Sequence, residues 1–391
     1  MAILTEDDLY RTSTQYRLWS FTRESLSSLR CTTNESAADG VRAALYGQKA
    51  TEQSSKQDSN VSPTPEVDYL SVDEEQKLVG YYCIQTMKFA DFCDFPTNVK
   101  ATAVQYLKRF YLSNSPMTYH PKEMMPSALF LATKTENHYT SLESFVSMLP
   151  KATAEDVVAP EFLLTQGLRF TFDVRHPHRG LEGGFMDLLA LATGKGQSNP
   201  KTGASPAQLQ QHMIDLEPVT DRGKKMSRSA EEVVRRIQNA HSKAKELLKT
   251  SALLTDAYFL YTPSQIWLSS LFFADEPLAR FYIDSKFPTQ SPLKSTLLTA
   301  LQTCATLLRS SASADPEDSE VKELKRIDKK LYKCRNPEKI DLVGINKAQK
   351  REGHEDGLDE KVIKKRKMER EKLEKEAEDI FGPALGVKDG K

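Results

Sequence analysis

The sequence predicts an all-α fold, built as two tandem five-helix units with flanking N- and C-terminal helices. Three observations carry this. Apolar residues recur every three or four positions through most of residues 71–310, and the one alternating stretch, Arg169-Phe-Thr-Phe-Asp-Val174, is too short for a strand. Signals of the form Ser/Thr-x-x-Glu/Asp, in which two side chains satisfy backbone N–H groups at a helix start, precede several of these stretches. The pattern then recurs once, at a period of about 100 residues, which marks a duplicated domain and not a solenoid.

In chain order, residues 5–30 read as one amphipathic helix or two short ones, with Tyr16, Trp19, Phe21, Leu26 and Leu29 as apolar content. Residues 32–68 are polar and unpatterned and end in Ser62-Pro-Thr-Pro65, so they read as a flexible linker. Ser71-Val-Asp-Glu74 starts a helix carrying Val79, Tyr82, Cys83, Met87 and Ala90. Val99, Ala103, Tyr106 and Phe110 mark one face of the next. Pro121 suits the first position of a third helix, apolar nearly all round from Met124 to Thr135, which predicts that other helices surround it. Thr140-Ser-Leu-Glu143 and Thr153-Ala-Glu-Asp156 start the fourth and fifth.

The second unit is looser. Gly183–Ala192 is a short apolar helix, and the Gly-, Ser- and Lys-rich residues 193–228 read as an insertion. Ser229-Ala-Glu-Glu232 caps a long helix expected to run to Tyr261. Thr262-Pro263 ends it and caps another apolar helix over 264–274, and two more follow near 276–285 and 292–310. Residues 316–334 form a charged amphipathic helix, and 357–380 are almost all charged. The expected organisation is thus an N-terminal helical segment (1–31), a polar linker (32–70), two helical units (71–175 and 176–312) and a C-terminal helix with a charged tail (313–391).

Composition narrows the function. The 391 residues carry 54 basic and 54 acidic side chains, a balance that argues against a strongly basic nucleic-acid surface. Five cysteines, at 31, 83, 93, 304 and 334, form no Cys-x-x-Cys pair, which points to a reducing compartment and away from a zinc site. No apolar run is long enough to span a bilayer and the N-terminus lacks a signal-peptide pattern, so a soluble intracellular protein is expected.

No phosphate loop, nucleophile elbow or His-Glu-x-x-His motif occurs, so no catalytic residues, cofactor or metal are expected. Gly194-Lys-Gly196 follows no strand. His176-Pro-His178 brings two imidazoles close without a third ligand nearby and reads as a turn between the units. Two placements stand out. Glu161 interrupts the apolar stripe Val157, Leu164, Leu168, either as a surface carboxylate at its edge or as one held by specific donors. Lys134 ends the most apolar helix, where a helix C-terminus favours a cation.

Leu131-Ala-Thr-Lys134 resembles the ending of the third helix in a cyclin box, and Lys108–Pro121, Leu254–Ile266, Tyr16–Phe21 and Leu331–Cys334 resemble cyclin segments as well. The likeness to the cyclin family covers about residues 10–30 and 70–335. It implies two cyclin boxes and a non-catalytic subunit that binds and activates a cyclin-dependent kinase. Its kinase-facing surface would comprise Lys134, Glu161 and Phe170, with Leu164 and Thr165 between the last two. The segments quoted resemble the branch of the family that serves the CDK-activating kinase. That implies three associations: the catalytic subunit of that kinase, a third assembly-factor subunit and the core of general transcription factor IIH. Activation loops of other kinases and the RNA polymerase II tail would be the substrates, with no direct binding to nucleic acid or membrane.

The sequence also departs from cell-cycle cyclins. Leu78–Met87 lacks their substrate-docking motif, and Thr135 stands where many cyclins have phenylalanine. Arg23-Glu-Ser-Leu26 matches a destruction-box spacing but falls in an expected helix. A transcription factor IIB-type adaptor, or a cyclin for another transcriptional kinase, are the alternative readings. Lys361–Met368 is a candidate nuclear localisation signal, in keeping with an expected nuclear location.

Overall fold

A computed structural model describes residues 6–54, 67–149, 152–196, 203–216, 229–287, 292–310 and 318–335; all regular elements among them are helices. The chain opens with α1 (Glu6–Thr12), α2 (Thr14–Trp19) and α3 (Arg23–Ser54). Ser13 divides the first two: its hydroxyl donates to the Tyr10 carbonyl and accepts from the Tyr16 N–H.

Helix α3 corrects the linker reading of residues 32–70 over 32–54, because it continues unbroken to Ser54. The segment is poor in large apolar groups, yet Ala37, Val41 and Leu45 fall on one face at i, i+4 and i+8. That face packs on Leu70, Leu78, Ile327 and Leu331, and Asn34 donates to the Leu70 carbonyl over 2.8 Å. Leu26, of the destruction-box spacing, is buried with Trp19, Leu112 and Phe259. Ser62–Pro65 lies outside the described residues.

The first unit has five helices, as expected: α4 (Val72–Phe92), α5 (Thr97–Phe110), α6 (Pro121–Thr135), α7 (Leu142–Ser147) and α8 (Ala154–Gly167). Reciprocal capping boxes form at Ser71/Glu74 and Thr153/Asp156. Helix α7 is capped one residue later than the sequence suggests, by Ser141, whose hydroxyl accepts from the Ser144 N–H. Val99, Ala103, Tyr106 and Phe110 are all buried, and α6 lies centrally against α4, α5 and α8. Each such leucine- or phenylalanine-sized side chain contributes about 1.5–3 kcal/mol by leaving water.

The second unit comprises α9 (His178–Ala192), α10 (Pro206–Ile214), α11 (Ala230–Lys249), α12 (Ser251–Leu254), α13 (Ala257–Leu260), α14 (Pro263–Ala274), α15 (Glu276–Lys286) and α16 (Pro292–Arg309). Here α14 is the central helix, touching α9, α11, α15 and α16.

The structure adds a helix to this unit and corrects the length of another. The insertion 193–228 contains α10, started by a Ser205/Gln208 capping box with Pro206 at its first position and anchored by buried Leu209 and Met213. The long helix from Ser229 does not reach Tyr261. It breaks at Thr250, whose φ of −123° and ψ of −85° are non-helical. The break turns carbonyls of Leu253 and Thr255 toward the buried ammonium of Lys108 on α5, which donates to both. A straight helix would have kept those carbonyls in its own ladder.

The apolar core continues from one unit into the other. His176, in the turn between them, has Nε2 2.8 Å from the Thr102 hydroxyl and Nδ1 3.1 Å from the Tyr258 hydroxyl. Thr102 gives its own hydroxyl hydrogen to Glu136, so the imidazole donates from Nε2 and accepts from Tyr258 at Nδ1. Helix α17 (Asp318–Cys334) returns to the first unit, where Lys330 and Arg326 both donate to Glu74 on α4. The charged tail, including Lys361–Met368, lies outside the described residues.

Candidate functional site

Helices α6 and α8 pack side by side in the first unit. One tie is the Ser127 hydroxyl, donating to the Val157 carbonyl over 2.5 Å. A second lies two turns further along α6, where Lys134 Nζ donates to both carboxylate oxygens of Glu161 at 2.6 and 2.7 Å. The ammonium also sits 4.6 Å from the centroid of the Phe130 ring, which favours a cation over its face. The pair is open to solvent, with side chains 44% and 23% exposed. An exposed ion pair of this kind adds little stability, in the range of about 0–1 kcal/mol. Its chemical value is that it leaves a spare ammonium hydrogen and spare carboxylate lone pairs for another molecule.

The remaining expected residues follow α8 toward its end. Leu164 is fully buried and belongs to the core, so its expected place on the contact surface is corrected: it fixes α8 from beneath. Thr165 contributes its backbone, since its carbonyl accepts from the Phe170 N–H at 3.0 Å. Arg169 and Phe170 both have left-handed backbones, φ 53° and 54°. That conformation costs an L residue about 1–2 kcal/mol, so two in succession require strong support from neighbours. The result is a phenylalanine ring 63% exposed.

Gly167, just before this turn, has no room for a side chain: an added Cβ would lie 2.5 Å from the Phe110 ring. Two aromatics near the pair were missed by sequence reasoning. Phe162, next to Glu161, is 39% exposed, and its signal was an aromatic off the stripe Val157, Leu164, Leu168. Tyr139 is 91% exposed beyond the left-handed Asn137, and it joins Phe130, Thr133, Lys134 and Glu143 in lining an open groove. Nothing in the local spacing marks Tyr139, which lies in a turn. Thr135, in place of the larger residue of many cyclins, is occupied inward and accepts from the Tyr106 hydroxyl.

No cluster of three or more His, Cys, Asp or Glu side chains with metal-binding geometry occurs among the described residues, and none of their helices is long and apolar enough to cross a membrane. The site offers hydrogen-bonding chemistry: an exposed ion pair on α6 and α8, with Tyr139 in the groove that Lys134 lines and Phe162 next to Glu161 in the chain.

The chain is a duplicated five-helix unit, and its likeness to known proteins gives its family. The model of the cyclin N-terminal domain matches residues 59–173 and that of the cyclin C-terminal domain residues 176–309. This chain belongs to the cyclin family. It is 32% identical over 290 residues to cyclin CCL1 of Saccharomyces cerevisiae, covering 73% of this chain and 63% of that protein's length. It is 30% identical over 331 residues to cyclin mcs2 of Schizosaccharomyces pombe, covering 84% and 86% respectively. Among solved structures it matches a chain of the CAK complex of Chaetomium thermophilum bound to ATP-gamma-S. The TM-score is 0.71 at 32% identity, over 91% of this chain and 98% of that one.

Proposed function

We propose that this chain is a cyclin of the H type, the non-catalytic subunit that activates the kinase of a CDK-activating complex. That complex also holds a third, assembly-factor subunit, attaches to general transcription factor IIH and works in the nucleus. The carrying observation is the Lys134–Glu161 pair, held on α6 and α8 with hydrogen-bonding capacity to spare.

A protein kinase works only when its β3 lysine is paired with the glutamate of its helix C. A surface that binds the helix-in arrangement and not the helix-out one shifts the population toward the active state. The Lys134 ammonium suits the free carbonyls at a helix end, and the Glu161 carboxylate suits free N–H groups. Because the two charges already neutralise one another, burying them under a partner costs less than burying either alone. Phe170 and Phe162 add apolar area beside them. The phosphate chemistry belongs wholly to the kinase, acting on activation loops and on the RNA polymerase II tail.

Co-expression with candidate kinases tests this, comparing wild type with Lys134→Ala combined with Glu161→Ala. The expected result is loss of kinase association and activity with helix content unchanged. Unchanged association would remove the site; a kinase equally active without this chain would remove the function.

A further inference from the structure

Two successive left-handed residues, Arg169 and Phe170, follow α8, and their turn is braced from the N-terminal helices. Trp19, at the end of α2, is only 2% exposed. Its indole Nε1 donates to the Thr171 hydroxyl at 2.9 Å, immediately after the left-handed Arg169 and Phe170. The guanidinium of Arg169 lies 5.3 Å from the Trp19 ring centroid and that of Arg109 5.1 Å from it. Gln15, one turn earlier on α2, accepts from the Arg175 N–H at 2.6 Å and from Arg109 at 3.3 Å. The segment 169–175 is thus fixed on one side by α8, through the Thr165 carbonyl, and on the other by α2.

We propose that Trp19 is a positioning residue: by holding Arg169 and Thr171 it sets the strained turn that presents Phe170, and so couples α2 to the kinase-binding surface.

The argument rests on strain. A left-handed pair of L residues relaxes unless its surroundings over-determine it. The Thr165 carbonyl takes the Phe170 N–H, the Leu168 carbonyl takes both the N–H and the hydroxyl hydrogen of Thr171, and the Phe172 carbonyl accepts from Tyr106, so these bonds tie the turn to α8 and α5. The indole adds a brace from α2, a hydrogen bond to the Thr171 hydroxyl and a ring for the Arg169 side chain to lie on. Without it the turn keeps its bonds to α8 but loses its brace from α2, and the Phe170 ring is presented less firmly. Trp19 need not touch the kinase; its effect passes through the turn.

This inference rests on the kinase-binding reading, so its test separates the two. Kinase affinity is measured for the full chain carrying Trp19→Phe, Phe170→Ala, and both. Thr171→Val serves as an independent variant that removes the indole's acceptor together with the hydroxyl's own bond to the Leu168 carbonyl. Trp19→Phe, which removes the indole N–H and keeps a smaller ring, and Thr171→Val are each expected to weaken kinase binding about tenfold, the scale set by a lost hydrogen bond. The double variant is expected to bind no worse than Phe170→Ala alone, because Trp19 acts only through that ring.

A general loss of folding would instead give additive effects, and the thermal midpoint of each variant is recorded alongside. Additive losses, or full affinity for both Trp19→Phe and Thr171→Val while Phe170→Ala is impaired, overturn the inference. Full affinity for Phe170→Ala together with the Lys134 and Glu161 variants overturns the underlying reading.

Discussion

The ammonium of Lys108, on α5 of the first unit, donates to the carbonyl of Leu253 in the second unit over 3.1 Å, deep in the junction between them. The same nitrogen serves the Thr255 carbonyl, and Asp256 and its bidentate partner Arg30 on α3 stand next to it. Burial lowers the Lys108 pKa, opposed chiefly by the Asp256 charge. One lysine thus occupies the point where α3, the first unit and the second unit meet, and it matches the break in the helix after α11.

Removing that ammonium leaves two buried carbonyls without donors. Lys108→Met keeps the volume and is expected to destabilise the chain by about 2–4 kcal/mol, the cost of uncompensated buried polar groups. Urea unfolding followed by circular dichroism reads this directly. A midpoint equal to wild type would show that the Lys108 hydrogen bonds add no net stability to the junction.

The turn between the units makes the protein acid-sensitive through His176. Burial, then the neighbouring His178 and Arg109, push its pKa down to about 3, against an ordinary 6.5. Burial and then Lys249 and Lys245 hold His178 down to about 4. The unfolded chain takes up these protons as pH falls through 6.5, while the folded chain resists until far lower. Stability is therefore fully present above about pH 6.5 and declines as pH falls toward 3 to 4. His176→Gln keeps a donor and an acceptor but cannot titrate. It is expected to flatten the decline, seen as a smaller difference in thermal midpoint between pH 7 and pH 5; an unchanged pH profile would count against the assignment.

Glu75 on α4 works in the opposite direction. Burial raises its carboxyl to about 7, only partly offset by hydrogen bonds from Ser115 and Asn34. No cation pairs with it among the described residues. Between the ordinary value of 4.5 and about 7 the folded chain holds a proton that the unfolded chain has lost, so stability falls as pH rises through that window. Glu75→Gln removes the charging step. Relative to wild type it should gain more stability at pH 8 than at pH 5, by calorimetry. An equal effect at both pH values would mean that the carboxyl is already ionised at pH 5.

Much of this architecture could be read from residue spacing, and the failures share a cause. Capping boxes at Ser71 and Thr153 and the buried face Val99, Ala103, Tyr106, Phe110 depend on neighbours within a few residues, and all appear in the structure. Helix α3 was missed because its stripe of Ala37, Val41 and Leu45 is small and acquires meaning only when Ile327 and Leu331, nearly 300 residues later in sequence, cover it. The break at Thr250 was missed because its cause, Lys108, lies in the other unit. Helix α10 was overlooked for a different reason: its Ser205-Pro206-Ala-Gln208 start was legible, but a Gly- and Lys-rich setting hid it. At the candidate site, Lys134 and Glu161 were identified by family resemblance, since neither spacing nor charge alone separates them from ordinary surface residues. The turn at Arg169 and Phe170 carries no glycine to announce its left-handed backbone.

The C-terminal helix offers a last test, at its charged contact with the first unit. Glu74 accepts from Lys330 at 2.8 Å and from Arg326, and it also closes the capping box with Ser71. Its side chain is only 10% exposed. Burial alone would raise its pKa, but Lys330, the Ser71 N–H and Arg326 together hold the carboxyl down to about 2. Its contribution is present above the ordinary carboxylate pKa and is lost as pH falls toward 2. Glu74→Gln leaves the capping bond possible but removes the charge that two cations share. The expected result is local: faster amide hydrogen exchange across α17, roughly tenfold or more for about 1.4 kcal/mol lost, while protection in α14 stays as in wild type. Equal protection of α17 in both proteins would show that Ile327 and Leu331 anchor this helix without help from its charges.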